Sequence, residues 1–363
     1  DDIILQKVEE GQALPAATIP DAPRPQAMQD DVEAALAALE SAERPLVIVG
    51  KGMAWSHAEN EVREFIERTQ LPFLASPMGK GVVPDDHPLS VGAARTTALQ
   101  DADLVFLMGA RLNWIMHFGL PPRFDKDVRV IQLDTATEEI HANVPAEVAL
   151  VGDGKAVVGQ LNKALEDRQW FYPAETNWRN TLAEKASANA EAVQPMIDDE
   201  SAPTNYYRAF KDIRDWLSED AIVVSEGANT MDIGRTQMPN SLPRSRLDDG
   251  SYGTMGIGMG FAIAAAAVHP ERPVVAVEGD SGFGFSGMEV ETMCRYKLPV
   301  KIVILNNGGI GGGMDALPND APIPASILTP RARYDLMMEA FGGKGFLIDA
   351  AGKSIAGMAF NDV

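Results

Sequence analysis

The sequence predicts an α/β protein built from two doubly wound parallel-sheet domains. Short apolar runs alternate with helical stretches along the chain, two such series are separated by a polar interval, and the strand ends run into glycine-rich turns. With 363 residues, 45% of them hydrophobic, there is enough apolar material for two cores.

Residues 1–30 carry Pro15, Pro20, Pro23 and Pro25 with little periodicity and are expected to be an extended linker or wrap-around segment. The first domain is placed at 31–176. A helical pattern at 31–41 is followed by strands at 45–50, 72–75, 104–109 and 128–134, with helical spacing between them, as at 59–69. The polar, Ala- and Glu-rich stretch 177–204 reads as helix plus linker and marks the domain boundary. The second domain, 205–363, shows strands at 221–225, 274–278 and 300–305. Its Gly/Ala-rich run 253–268 reads as one tightly packed helix.

Lys+Arg total 31 against Asp+Glu 52, a formal charge of -21, which argues against nucleic acid or an anionic membrane as the main partner. No stretch of about 18 apolar residues predicts a membrane span, and Asp1-Asp2 does not open a signal peptide. The single cysteine, Cys294, excludes a disulfide framework within the chain and fits a cytosolic location. The five histidines show no metal-ligand spacing.

The chemistry concentrates in the second domain. The apolar run Val274-Val275-Ala276-Val277 passes through Glu278 into Gly279-Asp280-Ser281, and Gly282, Gly284 and Gly287 open a helix. Asn307, followed by Gly308-Gly309, lies 27 positions beyond Asp280, at the end of the next strand. That span fits one right-handed βαβ crossover, which would bring Asp280 and Asn307 to the same carboxyl edge of a parallel sheet. A carboxylate oxygen of Asp280, the amide oxygen of Asn307 and a carbonyl near Gly309 suit magnesium. That ion prefers hard oxygen ligands and completes its shell with phosphate oxygens. A glycine-rich helix start offers bare N–H groups to a diphosphate. The bland alternative is a strand–turn–helix whose Asp is only a cap.

Gly279-Asp280-Ser281 followed by Asn307 resembles the thiamine-diphosphate signature of the pyruvate decarboxylase-like superfamily. The stretches Ser225-Glu226-Gly227-Ala228-Asn229-Thr230-Met231-Asp232 and Gly250-Ser251-Tyr252-Gly253-Thr254-Met255 look like 2-hydroxyacyl-CoA lyases. The run 278–292 is shared by those lyases and oxalyl-CoA decarboxylases. The resemblance implies that thiamine diphosphate and Mg are bound by Asp280, Asn307 and the Gly309 carbonyl. It places Ser225, Glu226, Asn229, Thr230, Gly279, Ser281 and Ile310 around the cofactor. Met255 would prop the bent cofactor and the Gly253 carbonyl would accept from its exocyclic amine. The family's activating glutamate comes from a pyrimidine-binding domain that is not found in these residues, and the carboxyl end looks short, so the chain is expected to be a fragment or to need a partner chain. A further departure is Gly311, where many relatives carry tyrosine.

In the first domain Lys51 and Lys80 lie among glycines after the first and second strands. Arg111 follows the third, Asp134 and Thr135 the fourth, and Asp153 follows Gly152. Acids at strand ends suit ribose or adenine and bases suit phosphates. In the resembling family this domain binds ADP or the nucleotide part of CoA. The resemblance implies a homodimer or homotetramer with the cofactor between chains. The expected activity is cleavage or formation of a 2-hydroxyacyl-CoA. The rivals are oxalyl-CoA decarboxylation, or a non-catalytic nucleotide-binding subunit.

Overall fold

The computed structural model describes residues 5–9, 11, 18–314 and 322–348. Its strands form two wholly parallel sheets. The first contains β1 (Pro45–Val49), β2 (Phe73–Ala75), β3 (Leu104–Met108), β4 (Arg129–Asp134) and β5 (Val148–Val151), in the order β2-β1-β3-β4-β5. The second contains β6 (Ile222–Glu226), β7 (Arg246–Leu247), β8 (Val274–Gly279) and β9 (Val300–Leu305), in the order β7-β6-β8-β9.

β1 and β3 are buried along their whole length, as strands covered on both faces must be. Helices Gln29–Ser41, Glu59–Thr69 and Gly154–Ala164 present Leu36, Leu39, Phe65, Ile66, Val157 and Leu161 to that sheet. Phe65 meets Phe106 edge-on, with ring centroids 6.0 Å apart. The second sheet is also covered twice. Val223, Val275 and Val277 pack with Phe210 and Ile213 of helix Tyr206–Trp216. Ile222, Val224 and Ala276 pack with Met259, Ala262, Ala266 and Phe283. Alanines and glycines along helix Gly258–Val268 allow it to lie close to the strands.

The structure refines several expectations. Strands β5 and β7 lie outside those expected: one is four residues long and the other two, too short to show a period. The 253–268 run is not one helix. Gly253 and Gly256 have φ of +61° and +86°, left-handed values that break the helical path, and the helix begins only at Gly258. The stretch expected to be helix plus linker is mostly a 21-residue helix, Asn177–Ile197, started by the Thr176 hydroxyl, which accepts from Arg179 N–H at 3.1 Å. Trp178 and Leu182 are buried in the first core, and the Trp178 indole donates to the Pro45 carbonyl at 3.0 Å. The end of the amino-terminal segment is extended but tied down: the Pro25 carbonyl accepts from Asp153 N–H at 2.8 Å.

Among the described residues no helix is long and apolar enough to cross a membrane. Cys294 is half-buried, with its Sγ 3.3 Å from the Met338 sulfur.

Candidate active site

Two loops meet at the carboxyl edge of the second sheet. β8 and β9 are adjacent and in register to their ends, with Gly279 opposite Leu305, so Asp280 and Asn307 leave neighbouring strands at the same edge. Asp280 is buried at the start of helix Asp280–Ser286, and its Oδ1 accepts from Ser281 N–H at 2.8 Å. Burial pushes its carboxyl above the usual range, while the backbone N–H groups of Ser281, Gly308 and Gly309 pull it down. Those last two groups place the Asn307 loop directly against the acid. Its other oxygen, Oδ2, is buried with no hydrogen-bond partner.

The facing loop is held in a fixed shape. Asn307 accepts from Gly309 N–H at 3.3 Å through Oδ1 and donates through Nδ2 to the Gly311 carbonyl at 2.9 Å. Asn229 donates to that same carbonyl, also at 2.9 Å. Asn229 sits in the first turn of helix Ala228–Gln237, which starts from the end of β6. Gly227, Gly279 and buried Thr230 come together between the ends of β6 and β8, where a Cβ on Gly279 would lie 3.4 Å from the Thr230 hydroxyl. Gly227 has φ of +102°, a conformation that glycine tolerates and other residues rarely adopt. Asn229, Thr230, Gly279, Asp280, Ser281, Asn307 and Gly309 therefore surround one notch, with two helix starts opening onto it. Ile310 is exposed beside it and Ser225 is fully buried at the β6 end. Tyr206 and Tyr334 flank it: burial raises both phenols, and the Asp280 charge adds to the rise.

Glu226 departs from its expected role. It is fully buried and its two oxygens accept from the backbone N–H groups of Gly256 and Gly258, the latter at 2.6 Å. Its carboxyl is thus used to hold the loop carrying Gly253 and half-buried Met255, not to face a ligand. Opposite it in the β6–β8 register stands Glu278, fully buried with both oxygens unpartnered. Burial first, and the Glu226 carboxylate second, push Glu278 up to about 8. Its only signal in the sequence was one charged residue ending an apolar strand.

Gly311 has φ of +68° with open space where a side chain would begin. A tyrosine there would have room but would have to adopt a left-handed backbone.

A second cleft, of about 270 Å³, opens between the first sheet and the 248–251 loop of the second domain. Lys51, Arg111, Asp134 and Thr135 line it, as do Asn113, Gly250 and Ser251. Arg111 is paired with Asp134 at 3.2 Å and Glu139 at 2.9 Å, which fixes its fork. Two expected residues are committed to other partners, although Gly152 and Gly154 on either side of Asp153 line the cleft. Lys80 is paired with Asp85 at 2.6 Å and donates to the Arg235 carbonyl at 2.9 Å, so it bolts the two domains together. Asp153 caps helix Gly154–Ala164 through Ala156 N–H at 3.1 Å and pairs with Arg24 at 2.9 Å. Lysines and aspartates in loops give no signal in sequence that separates a ligand from a brace.

Comparison with known proteins gives the family. Residues 32–161 match the family described as "Thiamine pyrophosphate enzyme, central domain", and 227–358 match "Thiamine pyrophosphate enzyme, C-terminal TPP binding domain". The chain belongs to the thiamine-diphosphate enzymes of the 2-hydroxyacyl-CoA lyase and oxalyl-CoA decarboxylase family. It is 50% identical to 2-hydroxyacyl-CoA lyase 1 of Mus musculus over 328 residues, 87% of this chain and 56% of the relative. It is 44% identical to the oxalyl-CoA decarboxylase of Escherichia coli K12 over 352 residues, 95% of this chain and 61% of that protein. The highest of these identities is with a lyase, while the lyases of Arabidopsis thaliana at 42% and Saccharomyces cerevisiae at 39% fall below the decarboxylase. The X-ray structure of a Mycobacterium smegmatis protein described as thiamin diphosphate-dependent shares the fold. Its TM-score is 0.69 at 24% identity, covering 93% of this chain and 63% of that one. The chain spans little more than half the length of the curated relatives it matches.

Proposed function

We propose that the protein of which this chain is part is a thiamine-diphosphate-dependent carbon–carbon lyase that converts a 2-hydroxyacyl-CoA to formyl-CoA and an aldehyde or ketone, or runs that reaction in reverse. The observation that carries the reading is the buried, unpartnered Oδ2 of Asp280 at the tip of β8, beside the end of β9 from which Asn307 follows. A lone buried carboxylate oxygen is costly, and a divalent cation relieves that cost. Among the described residues no three His, Cys, Asp or Glu side chains form a metal cluster. The ion would rest on Asp280, the Asn307 amide oxygen and the Gly309 carbonyl, a hard-oxygen set suited to Mg2+.

The residues present fit the cofactor. Asn229, Thr230 and Ser281 would hold its diphosphate, with glycines 227 and 279 letting the backbone approach. Thiamine diphosphate, when bound, supplies the carbanion that adds to the carbonyl carbon next to the breaking bond. The Gly253 carbonyl would accept from the exocyclic amine and Met255 would support the bent ring system, both held in place by Glu226. Lys51, Arg111, Asp134 and Thr135 would take the nucleotide end of CoA, or ADP, in the first-domain cleft. Exposed Tyr252, Phe261, Phe285, Met288 and Ile310 near the notch support a homodimer or homotetramer that closes over the cofactor. One half-buried cysteine without a disulfide fits a reducing, cytosolic compartment.

Incubating the full-length enzyme, thiamine diphosphate and Mg2+ with a 2-hydroxyacyl-CoA and with oxalyl-CoA tests the reading. Formyl-CoA and a carbonyl compound from the first support it. Turnover of oxalyl-CoA alone replaces it with the decarboxylase, and turnover of neither replaces it with a binding subunit.

A further inference from the structure

We propose that Trp114 is a positioning residue that ties the first-domain cleft to the loop expected to support the cofactor, so that occupancy of one strengthens the other. The proposal rests on the assignment of the cleft to CoA and of residues 253–255 to thiamine diphosphate given above.

The geometry is a clasp across the domain boundary. The Trp114 indole N–H donates to the Ser251 carbonyl at 2.5 Å, and Asn113 Nδ2 donates to the Ser251 hydroxyl at 3.2 Å. The same indole lies against Gly253: a Cβ built there would sit 3.6 Å from Trp114 Cζ2. Gly253 is at φ +61°, a left-handed conformation that glycine adopts without strain, so the backbone turns beside the ring. The indole is 43% exposed, so core burial does not account for its placement.

Both ends of the link are anchored. On the first-domain side, Asn113 Oδ1 accepts from Ile115 N–H at 3.1 Å and Arg95 donates to the Ile115 carbonyl at 2.8 Å. The following residues His117 and Phe118 are held at φ of +50° and +56°, a disfavoured pair that persists where the surroundings over-determine it. Asn113, Ile115 and Ser251 all line the cleft. On the other side, Glu226 fixes Gly256 and Gly258. Residues 251–258 therefore run as a short taut span from a cleft wall to the carboxyl of β6, with Trp114 holding its near end. A ligand that settles the 113–116 wall also settles Gly253, and the reverse holds by thermodynamic reciprocity.

The test uses full-length protein and two probes, free CoA and thiamine diphosphate with Mg2+, titrated calorimetrically alone and in each other's presence. The expected result for wild type is mutual tightening of about five- to tenfold, equal in both directions. In Trp114→Ala each ligand alone should bind within about twofold of wild type while the mutual factor falls toward one. Trp114→Phe, which keeps a ring against Gly253 but loses the N–H to Ser251, should retain an intermediate factor. A purely structural role would weaken both ligands and leave their ratio intact. Wild-type coupling that survives in Trp114→Ala, or binding of both probes with no mutual effect in wild type, overturns this proposal alone. Failure of wild type to bind CoA overturns the assignment of the cleft and the clasp with it.

Discussion

The two sheets bury very different things. Around the first, the interior is almost wholly aliphatic and aromatic, and its few buried polar groups are helix or turn partners such as Thr69, Gln132 and Asn162. Around the smaller second sheet, Ser225, Glu226, Thr230, Arg246, Asp248, Glu278 and Asp280 are all inside. Several leave atoms without partners: Arg246 is pressed about 3.9 Å from Asp248 with no hydrogen bond to any of its nitrogens. Burying such groups costs stability. The first domain thus resembles a frame and the second a site whose local interactions are partly incomplete.

Substitutions can break that contrast. The largest effect is expected from Asp280→Ala, which should weaken thiamine diphosphate and Mg2+ binding by the full-length enzyme more than about 100-fold. Its melting temperature without ligand should stay unchanged or rise, because an unpartnered carboxylate is removed. Calorimetry and differential scanning on the same samples check both. Next is Glu226→Ala, which strips the acceptors from Gly256 and Gly258 and should cost about 3 kcal/mol. The first-sheet counterpart Leu107→Ala should cost about 2–5 kcal/mol by cavity formation. Denaturant melts would show comparable losses, but only the Glu226 variant should also lose cofactor affinity while still folded.

Arg111→Ala should weaken CoA about tenfold, on the order of 1.4 kcal/mol, and leave cofactor affinity alone. Lys80→Met should leave CoA affinity unchanged and lower stability by about 1–3 kcal/mol through the stranded Asp85. Equal effects of the two on CoA would return Lys80 to the cleft. The smallest effect concerns pH. Burial, and then the Asp248 charge, push Asp249 up to about 6 against the pull of Arg235. A carboxyl raised on folding favours the folded state while protonated, so that contribution is present at low pH and is lost as pH rises through about 6. Asp249→Asn should remove that part of the slope of melting temperature between about pH 4 and 6.

The same contrast decides what could be read in the sequence. The notch was legible because its parts are contiguous and constrained: a strand, glycines where the backbone must approach, an acid, and an amide one crossover later. The cleft was only partly legible because its residues come from separate loops, and a loop lysine such as Lys80 can serve a neighbouring domain as well as a ligand. Residues that act through tertiary contact left almost no trace. Trp114 meets Gly253 across more than a hundred residues of chain, and Glu278 meets the like-charged Glu226 only when β8 lies beside β6.

The placement of Glu226 bears on how such a protein can change over time. One strand, β6, both opens the notch at its tip and supports Gly253–Met255 through its last side chain, so an alteration there disturbs two ligand-facing surfaces at once. Helix Gln29–Ser41 on the outside of the first sheet contributes nothing to the cleft wall. Diversity among descendants of this scaffold should accumulate there, with β6 and the 111–116 loop left nearly untouched.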